Sequence, residues 1–163
     1  MHERKLEEWA ALQATLATQV IIPDSINDLI LNPGDAIFSL DVQYVGDTGF
    51  VALDYAHWQG NPEEIFAVNE PVMEPYIPGY FAFREGPVLK SAILKAIDYV
   101  GFVPKLIIVD GHGTAHPRKF GVASWLGIEL GIPTIGCAKE TLVQYDGELG
   151  ESVGSTLPVC VED

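Results

Sequence analysis

The stretch Ile107 to Gly121, IIVDGHGTAHPRKFG, sets an aspartate, two histidines, an Arg-Lys pair and three glycines directly behind an apolar run. Two further acids fall where an α/β chain brings its strands and helices together. Asp41 lies inside an apolar segment between Leu40 and Val42, and Glu85 opens a helical pattern after a proline-rich loop. A carboxylate inside or at the tip of a buried strand is costly unless something compensates it, and a hard divalent cation does so efficiently. Taken singly, each acid has a plainer reading: a salt bridge, a helix cap at Glu85, a turn at Asp110. Taken together, oxygen ligands on adjacent elements suit magnesium or manganese.

The histidines allow other drawings. Asp110, His112 and His116 could be sketched as a zinc set, but the H-x-x-x-H spacing shares a face only on a helix, and Gly111 and Gly113 make this loop non-helical. His116 is expected either to cap the helix that Pro117 begins or to reach the site as a hydrogen-bond partner. His2 and His57 read as surface residues. Arg118 and Lys119 are expected in the first helical turn, where the dipole disfavours cations by about 0.3 to 1 kcal/mol each. A phosphate bound there would justify them, since helix N-termini and glycine-rich turns favour anions. A solvated surface pair explains them equally well. Lys139 is a further cation that could reach the strand ends.

These residues need elements to hold them. Leu6, Trp9, Leu12, Leu16 and Val20 recur at helical spacing, which predicts an amphipathic helix over the first twenty residues, packed on a sheet. After the turn signal NPGD come AIFSLDVQYV, TGFVALDY and EEIFAVNE, three β-rich runs with short connections that predict an antiparallel meander. The prolines of PVMEPYIPGYFAFREG, at 71, 75 and 78, exclude a regular helix or central strand and predict an ordered loop. Glu85 to Tyr99 reads as a helix with Pro87 in its first turn. VPKLIIVD reads as a buried strand, PRKFGVASWLGIELG as a helix closed by Gly131, and IPTIGCAK as a fifth strand. The sum is an α/β sheet of mixed direction, flanked by helices.

At 163 residues the chain is expected to fold as one domain. No apolar run approaches the roughly 20 residues of a membrane helix, and the N-terminus lacks the pattern of an export signal. Cys137 and Cys160 are too few for a disulfide framework, so a soluble, cytoplasmic protein is expected. The net charge of −14 argues against a polyanionic partner, but it is unevenly placed. Arg84 to Lys139 holds seven Lys or Arg against four acids, while the remainder holds two cations against nineteen acids. The central segment could face an anion.

The runs SLDVQY, PYIPGYFAFREGP, IIVDGHGTAHPRKFGVAS and IPTIGCAK, with the L-Q-x-x-L-A-x-x-V pattern from Leu12 to Val20, closely resemble the endonuclease V family. Its members are metal-dependent nucleases of ribonuclease H-like fold that act beside deaminated bases. The resemblance implies a mixed sheet with a three-stranded antiparallel meander and added parallel strands. It places the catalytic, metal-holding acids on Asp41, Glu85 and Asp110, an active-site lysine on Lys139 and a nearby histidine on His116. It implies Mg2+, with Mn2+ as an alternative, to activate the attacking water. The PYIP loop would carry the wedge Tyr76 with Ile77 and Pro78, and Gly79, Phe81, Gly111 and Gly113 would lie near the pocket for an extruded base. Three departures stand out. Trp125 replaces a histidine usual in the family, and Gln43 stands where a small residue is common. The family's C-terminal region is missing or replaced after about residue 140.

Two functions from different classes therefore present themselves. One is a monomeric Mg2+-dependent endonuclease cutting near deoxyinosine or inosine in DNA or RNA. The other is a non-catalytic relative that binds inosine-containing nucleic acid or a protein partner. A different magnesium-dependent phosphoesterase acting on a small substrate is a third.

Overall fold

A computed structural model describes residues 2–23 and 29–159; Cys160 and the side chain of His2 lie outside what it describes. The elements run α1 (His2–Ala17), β1 (Ala36–Val45), β2 (Thr48–His57), β3 (Pro62–Pro71), α2 (Phe81–Val100), β4 (Leu106–Val109), α3 (Val122–Leu130) and β5 (Thr134–Gly136). The five strands form one sheet in the order β3-β2-β1-β4-β5. The predicted meander is present: β1 pairs β2 and β2 pairs β3, both antiparallel. Strands β4 and β5 then add in parallel to β1, with Leu40 facing Val109 and Val109 facing Gly136. The mixed sheet expected from the β-rich runs is the sheet observed.

Alternation along the strands divides its two faces. Phe38, Leu40 and Val42 of β1, Val51 and Leu53 of β2, and Ile107 and Val109 of β4 are buried under Leu89, Ala92 and Ile93 of α2 and Val122 and Leu126 of α3. Ser39, Asp41 and Gln43, with their β2 partners Asp54, Ala52 and Phe50, line the opposite face, which is more open. This period-two division decides which β1 side chains are core and which are free for chemistry.

Three predicted elements are corrected. Helix α2 begins at Phe81 rather than Glu85, so Pro87 is an interior residue. Proline is tolerated there because Gly86 offers no Cβ to clash with the ring, and the same bare position receives the Trp125 indole against α2. Helix α3 begins only at Val122. Residues 111–121 form a loop in which Lys119 takes a positive φ of 54° and Phe120 is fully buried. Helix α1 is turned relative to its apolar stripe: Leu12 is 44% exposed while Gln13 is completely buried. It rests on the start of α2, with Trp9 stacked on Phe83 at 5.1 Å and near Tyr80 at 5.8 Å. His57 is no plain surface residue either. It joins the Tyr55 hydroxyl (2.9 Å) to Glu63 (2.8 Å).

The core under α2 should dominate stability. Leu89 is fully buried, and Leu89→Ala is expected to lower the unfolding free energy by about 2 to 5 kcal/mol, read from the urea midpoint at unchanged slope.

Candidate active site

The carboxyl ends of β1 and β4 meet side by side at the middle of the sheet. The Asp110 N–H donates to the Leu40 carbonyl at 3.2 Å, which sets Asp110 next to Asp41. The Cys137 N–H donates to the Val109 carbonyl at 2.9 Å, so the chain leaving β5 arrives at the same place. There the Lys139 ammonium meets Asp110 Oδ2 at 2.5 Å. In open α/β sheets ligands gather at such strand ends, where neighbouring connections diverge.

Glu85 approaches from α2. It is 3% exposed, its Oε1 accepts a hydrogen bond from the Tyr44 hydroxyl at 3.2 Å, and its Oε2 is buried with no partner among the described residues. Burial pushes this carboxyl up to about 8; the Tyr44 hydrogen bond opposes the rise, and the charges of Asp41 and Asp110 add to it. The Tyr44 phenol is itself pushed up, by burial first and then by Glu85, so it keeps its proton as the donor. Arg84 lies over the Tyr44 ring at 4.4 Å and donates to the Glu74 carbonyl at 2.5 Å, which links this pair to the proline loop. The hydrogen bond to Asp110 and the surrounding acids raise the Lys139 pKa, keeping it charged. Tyr44 and Arg84 are site residues that sequence reasoning missed. Their only signal was Tyr44 at i+3 from Asp41.

Asp41 is not the buried charge that its apolar flanks suggested. It is exposed, because alternation turns it to the open face, and its Oδ1 accepts the Val42 N–H at 2.7 Å. The costly buried carboxylate is Glu85 instead. The charges of Asp41 and Asp110 are felt by both Glu85 and Lys139, but among the described residues no three acids, histidines or cysteines close into a metal cage. The donor set nevertheless fits a hard divalent cation. A buried carboxylate oxygen without a donor, beside two further carboxylates, is the arrangement such an ion compensates.

The remaining expected residues separate into three places. Tyr76 is 63% exposed on the proline loop, edge-on to Phe81 at 5.9 Å. Behind it, Tyr80 N–H donates to the Ile77 carbonyl at 3.0 Å, with Pro78 second and Gly79, at φ 79°, third, the pattern of a type II turn. Gly111 and Gly113 lead away from Asp110 against Val122, Ala123 and Ser124. His116 is buried and neutral, its pKa lowered to about 4 by burial, then by Arg118 and His112. It accepts the Arg118 N–H at 3.1 Å, capping a turn rather than a helix. His112 Nε2 meets the Glu140 carbonyl at 2.9 Å, so the two rings have separate partners.

The expected anion site at the start of α3 is corrected. The Ala123 N–H already donates to the His112 carbonyl at 3.0 Å, and Arg118 lies in the preceding loop. Its guanidinium is engaged with Gln13 at 2.7 Å, with the Gly79 carbonyl, and over the Tyr80 ring at 4.3 Å.

The sheet order and helix-covered face, with acids at the ends of parallel strands, define an α/β protein of ribonuclease H-like architecture. The chain belongs to the endonuclease V family: the family model described as Endonuclease V matches residues 14–163, continuing beyond Lys139, where the quoted motifs stop. An endonuclease V of Gloeobacter violaceus is 54% identical over 90 residues, covering 55% of this chain and 35% of that protein. One of Dictyoglomus turgidum is 38% identical over 152 residues, covering 93% and 63%. The crystal structure of an endonuclease V from Streptomyces avermitilis superposes with a TM-score of 0.77 at 34% identity, covering 95% of this chain and 66% of that one. The chain thus spans less than two thirds of the length of these two curated relatives. Among the described residues no helix is long and apolar enough to cross a membrane.

Glu85 gives the site a pH signature. Its folded pKa of about 8 exceeds its ordinary 4.5, so the folded state holds the proton more tightly. The stability it confers is full at low pH and is lost as pH rises toward 8. Glu85→Gln is expected to flatten that decline in metal-free protein and to be more stable than the parent at pH 8 by at least about 1 kcal/mol, measured by urea unfolding across pH 5 to 9.

Proposed function

We propose that this chain is a divalent-metal-dependent endonuclease that hydrolyses a phosphodiester near deoxyinosine or inosine in DNA or RNA. The observation that carries the reading is the unpartnered, buried Oε2 of Glu85 beside Asp41, Asp110 and Lys139 at the ends of β1 and β4. Family membership supports it. Asp41 and Asp110 would be the main ligands for Mg2+ or Mn2+, and Glu85 would add its second oxygen or orient water. When bound, such a cation lowers the pKa of a water molecule and stabilises charge developing on the phosphate.

The chain's own residues do the rest. Tyr44 holds Glu85 Oε1, which leaves Oε2 for the site. Lys139, with 78% of its side chain exposed beside Asp110, would offer its ammonium to the phosphate. The Tyr76 ring, exposed between Pro75 and Pro78, offers a stacking surface on a loop with little entropy to lose. Gly111, whose bare side packs on Val122, and Gly113 are the small residues of the backbone beside which an extruded base would lie. His116 acts as a neutral support for that loop.

One feature favours a non-catalytic reading, in which the chain binds inosine-bearing nucleic acid without cutting it. Residues 140–159 are largely exposed and rich in acids, which opposes a polyanion. Nicking of matched inosine-containing and plain strands decides between them. With Mg2+ or Mn2+ the protein is expected to cut the inosine strand selectively, and Asp41→Ala, Asp110→Ala and Lys139→Ala are each expected to lose about 100-fold or more while remaining folded. Selective binding with no cut under either metal would leave the binding reading standing.

A further inference from the structure

Gln13 is a glutamine with no solvent exposure at all, and it sits on a helix remote in sequence from every site residue. Its amide is fully used. Nε2 donates to the Phe120 carbonyl at 3.0 Å and to the Gly79 carbonyl at 3.2 Å, while Oε1 accepts from Arg118 Nε at 2.7 Å. Arg118 closes the ring by donating through Nη2 to the same Gly79 carbonyl and by lying over the Tyr80 ring at 4.3 Å. Three segments meet here: α1, the turn behind the Tyr76 loop, and the loop that leads from Asp110 to α3. Gly79 fits by necessity, since its φ is 79° and any Cβ there would strike the Arg118 guanidinium.

We infer that Gln13 and Arg118 form a clamp that fixes the Tyr76 loop at a set distance from the Gly111–Gly113 loop, and that this spacing determines which base the site accepts. Both are positioning residues, and Arg118 is not a phosphate contact. The inference rests on the reading of the site as an inosine-directed nuclease centre. Its physical basis is that a buried, fully satisfied polar network has one geometry, whereas apolar contacts alone would let the two loops slide. The far ends of both loops are anchored independently. Arg84 holds Glu74 at the start of the proline loop, and the Gly121 N–H holds the Gly113 carbonyl at 2.9 Å. Between those anchors, the Gln13–Arg118–Gly79 contacts and the Arg118 guanidinium over Tyr80 tie one loop to the other. A displacement of about 1 Å in a recognition element can change rate by about 100-fold, so a clamp remote from the acids can still govern selection.

The test uses Gln13→Leu, Arg118→Lys and the double variant in the full chain. Arg118→Lys keeps the charge but lacks the planar fork that reaches Gln13, Gly79 and Tyr80 together. Each single variant is expected to lower the inosine-to-plain preference about tenfold or more through KM, with kcat changed less than about threefold. The double variant should be no worse than either single one, because both break the same unit. The magnesium concentration for half activity should not move. Amide hydrogen exchange supplies a readout independent of cleavage: residues 76–80 and 113–121 should exchange together about tenfold faster in both variants. Unchanged preference and unchanged exchange in Arg118→Lys would overturn the clamp, even if Gln13→Leu failed to fold. A salt slope that falls by about one in Arg118→Met but not in Gln13→Leu would make Arg118 a phosphate contact and also overturn it. If the parent shows no inosine preference the functional reading fails. Exchange then decides the clamp alone.

Discussion

A carboxylate in the interior with one oxygen unpaired is the constraint from which the site follows. Glu85 is buried because α2 must cover the sheet, and its position in the second helical turn points it at the ends of β1 and β4 rather than at solvent. Its neighbours are arranged to make a charge there tolerable without removing it. Tyr44 satisfies one oxygen, Arg84 screens Tyr44 from the far side, and Lys139 offsets Asp110. None of them reaches Oε2. Replacing Glu85 with a packed apolar residue would remove the desolvation cost outright, so a carboxylate held there at the expense of stability points to use.

That constraint also explains why the proline loop and the Asp110 loop are so heavily tied. Arg84 is bound at once to the loop carbonyl of Glu74 and to the tyrosine that orients Glu85, so motion of the loop would reach the acid. On the other side Gln13 and Arg118 join that loop to the one leaving β4. The site is therefore not a set of side chains on a passive scaffold. Its acids come from rigid elements, its exposed ring from a stiffened loop, and a buried polar network holds the two in register.

Much of this was legible in the sequence. Alternation and turn signals gave all three meander strands, and the apolar runs gave the two parallel ones, because period two and β-branched composition report directly on burial. The acids stood out by contrast with apolar neighbours, although for Asp41 the contrast misled: a single strand cannot say which of its faces a helix will cover. What stayed hidden was set by contacts distant in sequence. Gln13 reads as a polar interruption of an apolar stripe until Gly79 and Phe120 arrive 66 and 107 positions away. Pro117-Arg118-Lys119 mimics a helix start because Pro, charge and a following apolar run are the local signature of one. The buried Phe120 and the left-handed Lys119 defer the helix to Val122. Tertiary packing overrode the local pattern there.

The charge asymmetry changes meaning for the same reason. Seven cations between Arg84 and Lys139 suggest a segment facing an anion, yet five of them have internal work in the folded chain. Lys90 pairs with Glu129 and Lys95 with the buried Glu70, Arg84 and Arg118 brace the two loops, and Lys139 meets Asp110. Of these five, Lys139 and Arg84 stand near the acids. A chain of net charge −14 with its cations so committed gains little from counterion release. On the proposed function, attraction to a nucleic acid would have to come from a cation at the acids, from stacking on Tyr76 and from the fit of an extruded base. Of these, the fit of the base depends on the lesion, whereas stacking, a cation on phosphate and diffuse charge act on any strand. On that reading a low cationic surplus would favour selectivity over general affinity, because little diffuse charge would remain to hold a strand whose base does not fit.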